Sequence, residues 1–240
     1  MRIKDHYDNH LGNIYSWMTG NFEEKQRAQQ AFFVEHGLIP NKGKVAVDLG
    51  AGHGLQSVSL AKLGFEVHAV DFNHQLLAEL QQNSLAIPIA IVEDDILNFL
   101  EHSNIDAELI VCMGDTLTHL ESVDRVETLI QLMMKRLADG GKVVLSYRDL
   151  TRKLVGEQRF IPVRSDDSKI LTCFLEYFPS VVMVHDILHE KINGEWVQKV
   201  SAYPKLRLDE SMVMALLTKN GFQIRMSQTV SRMIHIIAAK

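Results

Sequence analysis

Residues 45–54, VAVDLGAGHG, are the part of this sequence whose residue types and spacing are best suited to chemistry. A run of small and β-branched residues carries Asp48. Gly50, Gly52 and Gly54 then let the backbone turn sharply and approach a ligand closely before a helix begins near Leu55. The spacing discriminates between ligands. A dinucleotide fingerprint needs a small residue five positions after its first Gly, where this chain has Leu55, and a P-loop needs a Gly-Lys-Ser/Thr that does not follow. A plain tight turn is the alternative reading of the three glycines.

The elements that must position this loop follow a rhythm. From residue 44, short β-branched runs (KVAVDLG, FEVHAVDF, IPIAIVEDD, AELIVCMGD, GKVVLSY) alternate with helical patterns (LQSVSLAKLG, NHQLLAELQQNS, SVDRVETLIQLMMKRLADGG). That order predicts a parallel sheet covered by helices. In the long helix Val123, Val126, Ile130, Met133 and Leu137 share one face, with Ser122 expected as N-cap and Gly140 as the stop. Residues 21–36 predict a helix opened by Asn21 with Glu24 three positions on, preceded by the aromatic segment HLGNIYSWMTG. After the fifth strand, KILTCFLEYF, SVVMVHDILHEKI and EWVQKVSAYPKLRL predict antiparallel strands, with Asn193-Gly194 as a hairpin turn. DESMVMALLTKNG then reads as a helix, and FQIRMSQTV with RMIHIIAAK as a closing antiparallel pair.

The pattern Asp48-x-Gly50-x-Gly52-x-Gly54 resembles the first motif of the class I S-adenosylmethionine-dependent methyltransferases. The resemblance implies a cofactor cradle made by Asp48, Gly50, Ala51, Gly52 and Gly54. It also implies ribose binding by Asp71, which ends the second strand 21 residues after Gly50, beside Phe72. A carboxylate suits that role because it accepts from both hydroxyls of a diol at once. VEDDI places Asp94, Asp95 and Ile96 where the family flanks the adenine, and IVCMGDTLTHL places Met113, Gly114 and Leu117 beside the sulfonium. Capping remains the alternative for the acids: Asp71 for the helix from Asn73, and Asp94 or Asp95 for ILNFLEH.

The loop GDTLTHL is similar to the Gly-Asn-Ser-x-x-His-Leu loop of glycine N-methyltransferase-like enzymes, with Asp115 and Thr116 standing where those have Asn and Ser. The likeness implies His119 as the candidate base, unless it simply bonds backbone, and an N-terminal segment that closes over the cofactor's methionine end. Tyr15, Trp17 and Arg27 stand in comparable places: an aromatic face attracts a sulfonium, and a guanidinium suits a carboxylate. A solvated helix face for Arg27 and a hydrophobic staple for the two aromatics are the alternatives. Tyr147 and Arg148 end the fifth strand, where ligands of open parallel sheets bind, and are the expected substrate contacts; an Arg148–Asp149 ion pair competes.

The expected fold is α/β: a Rossmann-like, seven-stranded, mostly parallel sheet with helices on both faces and an antiparallel closing pair. Residues 1–240 are expected to form one domain, with 1–43 a helical cap, 44–150 and 209–240 the cofactor-binding core, and 151–208 an antiparallel insertion over the substrate. The 240 residues are 46% hydrophobic and 23% charged, which excludes disorder and a collagen-like repeat. Cys112 and Cys173 lie in apolar runs and read as buried thiols of a reducing compartment. The first residues lack a secretory pattern and no run suits a membrane span, so the expected location is cytoplasmic. His185 and His189 lie too far apart on one strand to share a metal, and no zinc-type spacing occurs, so no metal is expected.

The formal net charge of −5 gives no field for a phosphate backbone. The resemblance implies methyl transfer from S-adenosylmethionine, leaving S-adenosylhomocysteine, to an N or O nucleophile, and the charge favours a small molecule as acceptor. A nucleic-acid methyltransferase and a non-catalytic cofactor-binding protein are the alternatives.

Overall fold

The computed structural model describes residues 3–85, 87–230 and 232–240. The chain opens with α1 (Ile3–His6), a π-helical turn at Tyr7–Leu11, a 3₁₀ turn at Gly12–Ile14, α2 (Tyr15–Thr19) and α3 (Phe22–Glu35). The alternating part follows as β1 (Val45–Leu49), α4 (Leu55–Lys62), β2 (Glu66–Asp71), α5 (His74–Asn83), β3 (Ile89–Glu93), α6 (Ile96–His102), β4 (Ala107–Cys112), α7 (Val123–Arg136) and β5 (Leu137–Arg148). Four strands then come in succession, β6 (Phe160–Ser165), β7 (Lys169–Tyr177), β8 (Val181–Ile192) and β9 (Glu195–Leu206). The chain ends with α8 (Glu210–Lys219), β10 (Gln223–Val230) and β11 (Met233–Ala239).

The main sheet has seven strands in the order β3-β2-β1-β4-β5-β11-β10. β1 to β5 pair in parallel, and β11 runs antiparallel to both β5 and β10. The order reverses between β1 and β4, the place where open α/β sheets bind ligands beyond the carboxyl ends of their strands. A second sheet, β6-β7-β8-β9, is wholly antiparallel. The expected fold class is the observed one.

Local chemistry explains the element ends. The Asn21 side chain accepts from the Glu24 N–H at 3.0 Å and Ser122 Oγ from the Arg125 N–H at 3.3 Å, both as expected. Along α7 the buried residues are Val126, Leu129, Ile130 and Met133, a stripe that recurs every three or four residues and faces the sheet. Burying four such side chains contributes roughly 6–12 kcal/mol before the entropy of ordering them.

The helix stops at Arg136, short of the expected Gly140. Leu137 already pairs with Ala107 of β4, and the Arg136 guanidinium donates to the Leu100 and Glu101 carbonyls at 2.7 Å. Gly140, at φ +77°, turns the chain before regular pairing resumes at Lys142. The Asn193-Gly194 hairpin is present, with φ of +51° and +88°. β6 was not expected: it is an edge strand carrying Pro162, and proline weakens the strand signal everywhere except at an edge. Cys112 is buried as expected, whereas Cys173 is only half-buried and points its thiol at Asp186.

Candidate active site

Two loops meet at the reversal point, and glycine is what lets them meet. The N–H groups of Gly50 and Ala51 donate to the Val70 carbonyl, so the loop after β1 crosses the end of β2. Gly50 has φ +75°, and a Cβ there would stand 2.3 Å from Thr116 Oγ1 in the loop after β4. Asp71 ties the cradle together, its Oδ2 accepting from the Gly52 N–H at 2.9 Å and its Oδ1 from the Asn73 N–H at 2.8 Å. Burial raises the Asp71 carboxyl and these two backbone donors oppose that rise. Asp71 is not the helix cap: Asn73 is, accepting from the Leu76 N–H at 2.9 Å. Beneath the loop Asp48 takes the Ser57 hydroxyl at 2.6 Å, and burial pushes its pKa up to about 7.

The loop after β4 is held from three sides. Ser146 Oγ receives the Gly114 N–H at 3.0 Å. Asp115 adopts φ +83°, a region that side-chain-bearing residues seldom enter, and its carboxylate over-determines the position. Oδ1 accepts from the Arg148 N–H at 2.7 Å, and Oδ2 accepts from the Lys205 ammonium at 2.8 Å with Arg148 Nε 3.6 Å away. Burial raises this carboxyl, but Lys205 and Arg148 outweigh it and hold it well below the usual carboxylate range.

His119 ends the turn that follows, with Nε2 at 3.5 Å from the Tyr7 hydroxyl, its ring 5.8 Å from Tyr7 and 5.7 Å from Tyr203, and no partner on Nδ1 among the described residues. Burial, reinforced by Lys205, pushes its pKa down to about 3, so the imidazole is neutral.

The N-terminal residues 3–19 form a strap over these loops. On the core side Lys4 donates to the Phe72 carbonyl at 3.3 Å, Asn73 to Asp8 at 2.8 Å and Gln75 to the Gly12 carbonyl at 3.2 Å. Thr19 and His53 share a hydrogen bond at 3.2 Å. On the other side His6 is fully buried against the second sheet, stacked on Tyr203 at 4.0 Å, with Nδ1 bonded to Ser201 Oγ at 2.7 Å. His6 Nε2 also lies 3.2 Å from Asp186, off-line for a hydrogen bond.

Tyr15 sits 3.9 Å from the position a Gly52 Cβ would take and is edge-on to His53. Tyr7, Tyr15 and His119 are enclosed by protein yet keep partial solvent access, and a Cβ on Gly114 would meet no atom within 4 Å. Gly114 itself is exposed. A separate cavity of about 490 Å³, lined by His36, Lys142, Arg225, Ile237 and Lys240, opens at the far end of the sheet and has no part in this site.

Several expected residues are thus gathered here: Asp48, Gly50, Ala51, Gly52, Gly54, Asp71, Phe72, Met113, Gly114, Tyr15 and His119. Phe72 meets Tyr7 edge-on at 5.7 Å, and Met113 Sδ is 3.8 Å from the Gln29 amide. Ile96 and Leu117 are buried in the adjoining core. Asp95 caps α6, its Oδ1 accepting from the Leu97 and Asn98 N–H groups, and Asp94 is taken up by the Asp95 N–H and the Asn98 amide. Arg148 reaches the site through Asp115, not Asp149, and its side chain is half exposed.

Three expectations are corrected. Arg27 lies on the exposed face of α3 beside Glu23, turned away from the glycine loop. Trp17 packs toward Leu171 and Leu188 of the second sheet and donates to Asp166, because α2 turns its Tyr15 face to the loop and its Trp17 face outward. Tyr147 is fully buried among core residues such as Leu208 and Val213, since strand alternation puts it on the opposite face from Ser146. The residues sequence reasoning missed are Tyr7, His6, His53, Tyr203 and Lys205. His53 sits between Gly52 and Gly54, inside the motif itself, but its burial against Tyr15 and Thr19 depends on the strap; no local pattern marks the other four, because the strap and β9 meet the loops only through the fold.

Comparison with known proteins agrees with this geometry. Residues 46–141 match the family model for a methyltransferase domain. The ubiquinone biosynthesis O-methyltransferase of Proteus mirabilis is 27% identical over 113 residues, 46% of this chain and 44% of that protein, so the match spans less than half of the relative. Among solved structures, an S-adenosylmethionine-dependent methyltransferase from Clostridium acetobutylicum superposes with a TM-score of 0.76 at 15% identity, over 98% of this chain and 96% of the other. CalS10, an amino pentose methyltransferase from Micromonospora echinaspora with bound S-adenosylmethionine, gives 0.74 at 12% identity, over 96% of each chain. The chain has the fold of the class I S-adenosylmethionine-dependent methyltransferases. Within it, residues 46–141 are the part that matches the methyltransferase domain.

Proposed function

We propose that this chain is an enzyme that transfers the methyl group of S-adenosylmethionine to a nitrogen or oxygen of a small molecule. The observation that carries the reading is the roof over the site: residues 3–19 are pinned to the core at Phe72 and Asn73 and to the second sheet at Ser201, and cross the loops that carry Gly52 and His119. A folded nucleic acid would not reach a nucleophile-sized space behind such a strap, and the net charge of −5 offers it no attraction. No helix among the described residues is long and apolar enough to cross a membrane, and we place the protein in the cytoplasm. The chain is read as one methyltransferase domain, with 1–43 as cap and 151–208 as cover.

The residues present fit the cofactor. The Asp71 carboxylate takes backbone N–H groups of Gly52, Asn73 and Phe72, and its remaining lone pair would accept a ribose hydroxyl. Gly50, Ala51, Gly52 and Gly54 allow a close backbone approach over Asp48, and Phe72, Ile96 and Asp95 Oδ2, with Asp94 behind it, would flank the adenine. Met113 and Gly114 would line the methionine end, with Leu117 packed in the core behind them, and Tyr15 would cover it with a neutral ring, its hydroxyl raised by burial far above neutrality. When bound, the cofactor supplies an electrophilic methyl on a sulfonium.

The protein's task is then to align the nucleophile and exclude water. Neutral His119 accepts a hydrogen bond from the acceptor and orients its lone pair; with a pKa near 3 it is too weak a base to deprotonate an alcohol beforehand. Arg148, half exposed at the mouth, is the substrate contact.

Calorimetric titration with S-adenosylmethionine and S-adenosylhomocysteine tests the cofactor reading, which fails if neither binds or if Asp71→Ala leaves affinity unchanged. Labelled donor incubated with pooled metabolites, RNA and DNA tests the acceptor. Label in a small molecule supports the proposal, label in polymer supports a nucleic-acid methyltransferase, and binding without transfer supports a non-catalytic protein.

A further inference from the structure

An antiparallel sheet with one face on the core ordinarily turns polar residues to solvent from the other. The second sheet mixes polar and large apolar residues on that face. Along β8, Val182, Val184, Asp186 and Leu188 are buried, while the alternate residues Met183, His185, Ile187 and His189 face outward. The register carries this outer face across all four strands, through Phe160 of β6, Ile170 and Phe174 of β7, Ile187 of β8, and Trp196 and Val200 of β9. Four of these six are among the exposed large apolar residues: Phe160, Ile170, Trp196 and Val200, each 40–58% exposed. Large apolar side chains exposed on all four strands of one face mark a binding partner.

We propose that the outer face of this sheet packs against the same face of a second copy of the chain, forming a two-fold symmetric dimer. Size and charge both favour a second copy. Four strands at ~4.8 Å spacing and about nine residues at ~3.3 Å give a flat face of roughly 600 Å², and more with side-chain relief, in the range of the ~800 Å² per partner of a standard interface.

Ile187, paired with Thr172 and Val200, lies at the middle of the face. Four residues to one side along β8 is Met183, paired with Glu176, and four to the other is Lys191, paired with Trp196. A two-fold axis through the Ile187 row and across the strands therefore sets Met183 of one copy over Lys191 of the other, with Glu176 one strand to the side, ~4.8 Å away laterally and within reach of the ammonium, twice. The remaining charged groups on the face do not oppose this: His185 already bonds Glu176 at 3.2 Å, Arg159 covers Phe174 at 4.8 Å, and Lys191 lies over Trp196 at 5.7 Å. An isologous interface needs this kind of self-complementarity.

Sedimentation velocity of the full chain over a hundredfold concentration range tests the proposal, independently of any methyl transfer. The expected species has twice the 27.2 kDa chain mass. Val200→Glu should shift the protein to monomer with unchanged circular dichroism and thermal midpoint. Lys191→Glu alone should weaken association at least tenfold, and Glu176→Lys combined with Lys191→Glu should restore most of it. A monomer throughout the range, a Val200→Glu protein that still dimerises like the parent, or a charge swap without recovery each overturns the proposal.

Discussion

Replacing Lys205 with methionine asks how much the fold depends on holding the loop after β4 from β9. Lys205 and Asp115 are 8% and 6% exposed, and their 2.8 Å contact is a buried ion pair. Removing one partner of such a pair costs about 3–5 kcal/mol, because the other charge is left stranded. Arg148 remains, with its N–H at 2.7 Å and Nε at 3.6 Å from the carboxylate, so about 3 kcal/mol, the lower end of that range, is expected. For a chain of this size that is a fall of about 6–12 °C in thermal midpoint.

The pH dependence has a definite sign. The folded-state pKa of Asp115 lies below its unfolded value, so the pair's contribution is complete above about pH 4 and is lost as pH falls below it. In Lys205→Met the main opposing charge is gone and burial raises the carboxyl, so the deficit is largest near neutrality and shrinks as the pH is lowered toward 5. Urea unfolding followed by circular dichroism at pH 7 and pH 5 measures both effects. The double variant Asp115→Asn with Lys205→Met should recover most of the loss, since no buried charge is left unpaired. A deficit under about 1 kcal/mol at pH 7, a deficit independent of pH, or a double variant no better than the single one would refute the reasoning.

Two further outcomes are expected. Gly50→Ala should abolish measurable cofactor binding in calorimetry, because its Cβ would lie 2.3 Å from Thr116. Gly114→Ala, where a Cβ meets nothing within 4 Å, should cost only the positive-φ penalty of about 1–2 kcal/mol, or roughly tenfold; equal losses would mean that the loop contact does not matter. Burial pushes His53 down to about 4 against an unfolded value near 6.5, so its share of stability is complete above about pH 6.5 and is lost as pH falls toward 4, where it reaches about 3 kcal/mol. Urea midpoints from pH 7.5 to 4.5 should therefore fall less steeply in His53→Gln than in the parent, and parallel slopes would count against this.

The sheet and its loops were legible because each strand and helix carries its own period, and because Asp48, Gly50 and Asp71 sit at element ends where local sequence decides the turn. β6 was hidden by Pro162, and the end of α7 by a tertiary pairing at Leu137 that overrides the helical pattern. The limits at the site are of the same kind. Arg27, Trp17 and Tyr147 have suitable side chains at suitable sequence positions, but which way each points is set by packing: on an exposed helix face, on a turn that divides Tyr15 from Trp17, and on a strand whose alternation favours Ser146. Lys205 is 90 residues from Asp115 in sequence, a partnership that only the docking of β9 creates.

His6 and Tyr7 are neighbours in sequence with different duties. One is buried against Tyr203 and Ser201 of the second sheet; the other touches Phe72 after β2 and His119 after β4. A single peptide unit thus joins the donor's compartment to the acceptor's. For the proposed reaction, the contacts of His6 with the second sheet and of Tyr7 with the two loops lie one residue apart, so a shift of the strap at one is transmitted to the other.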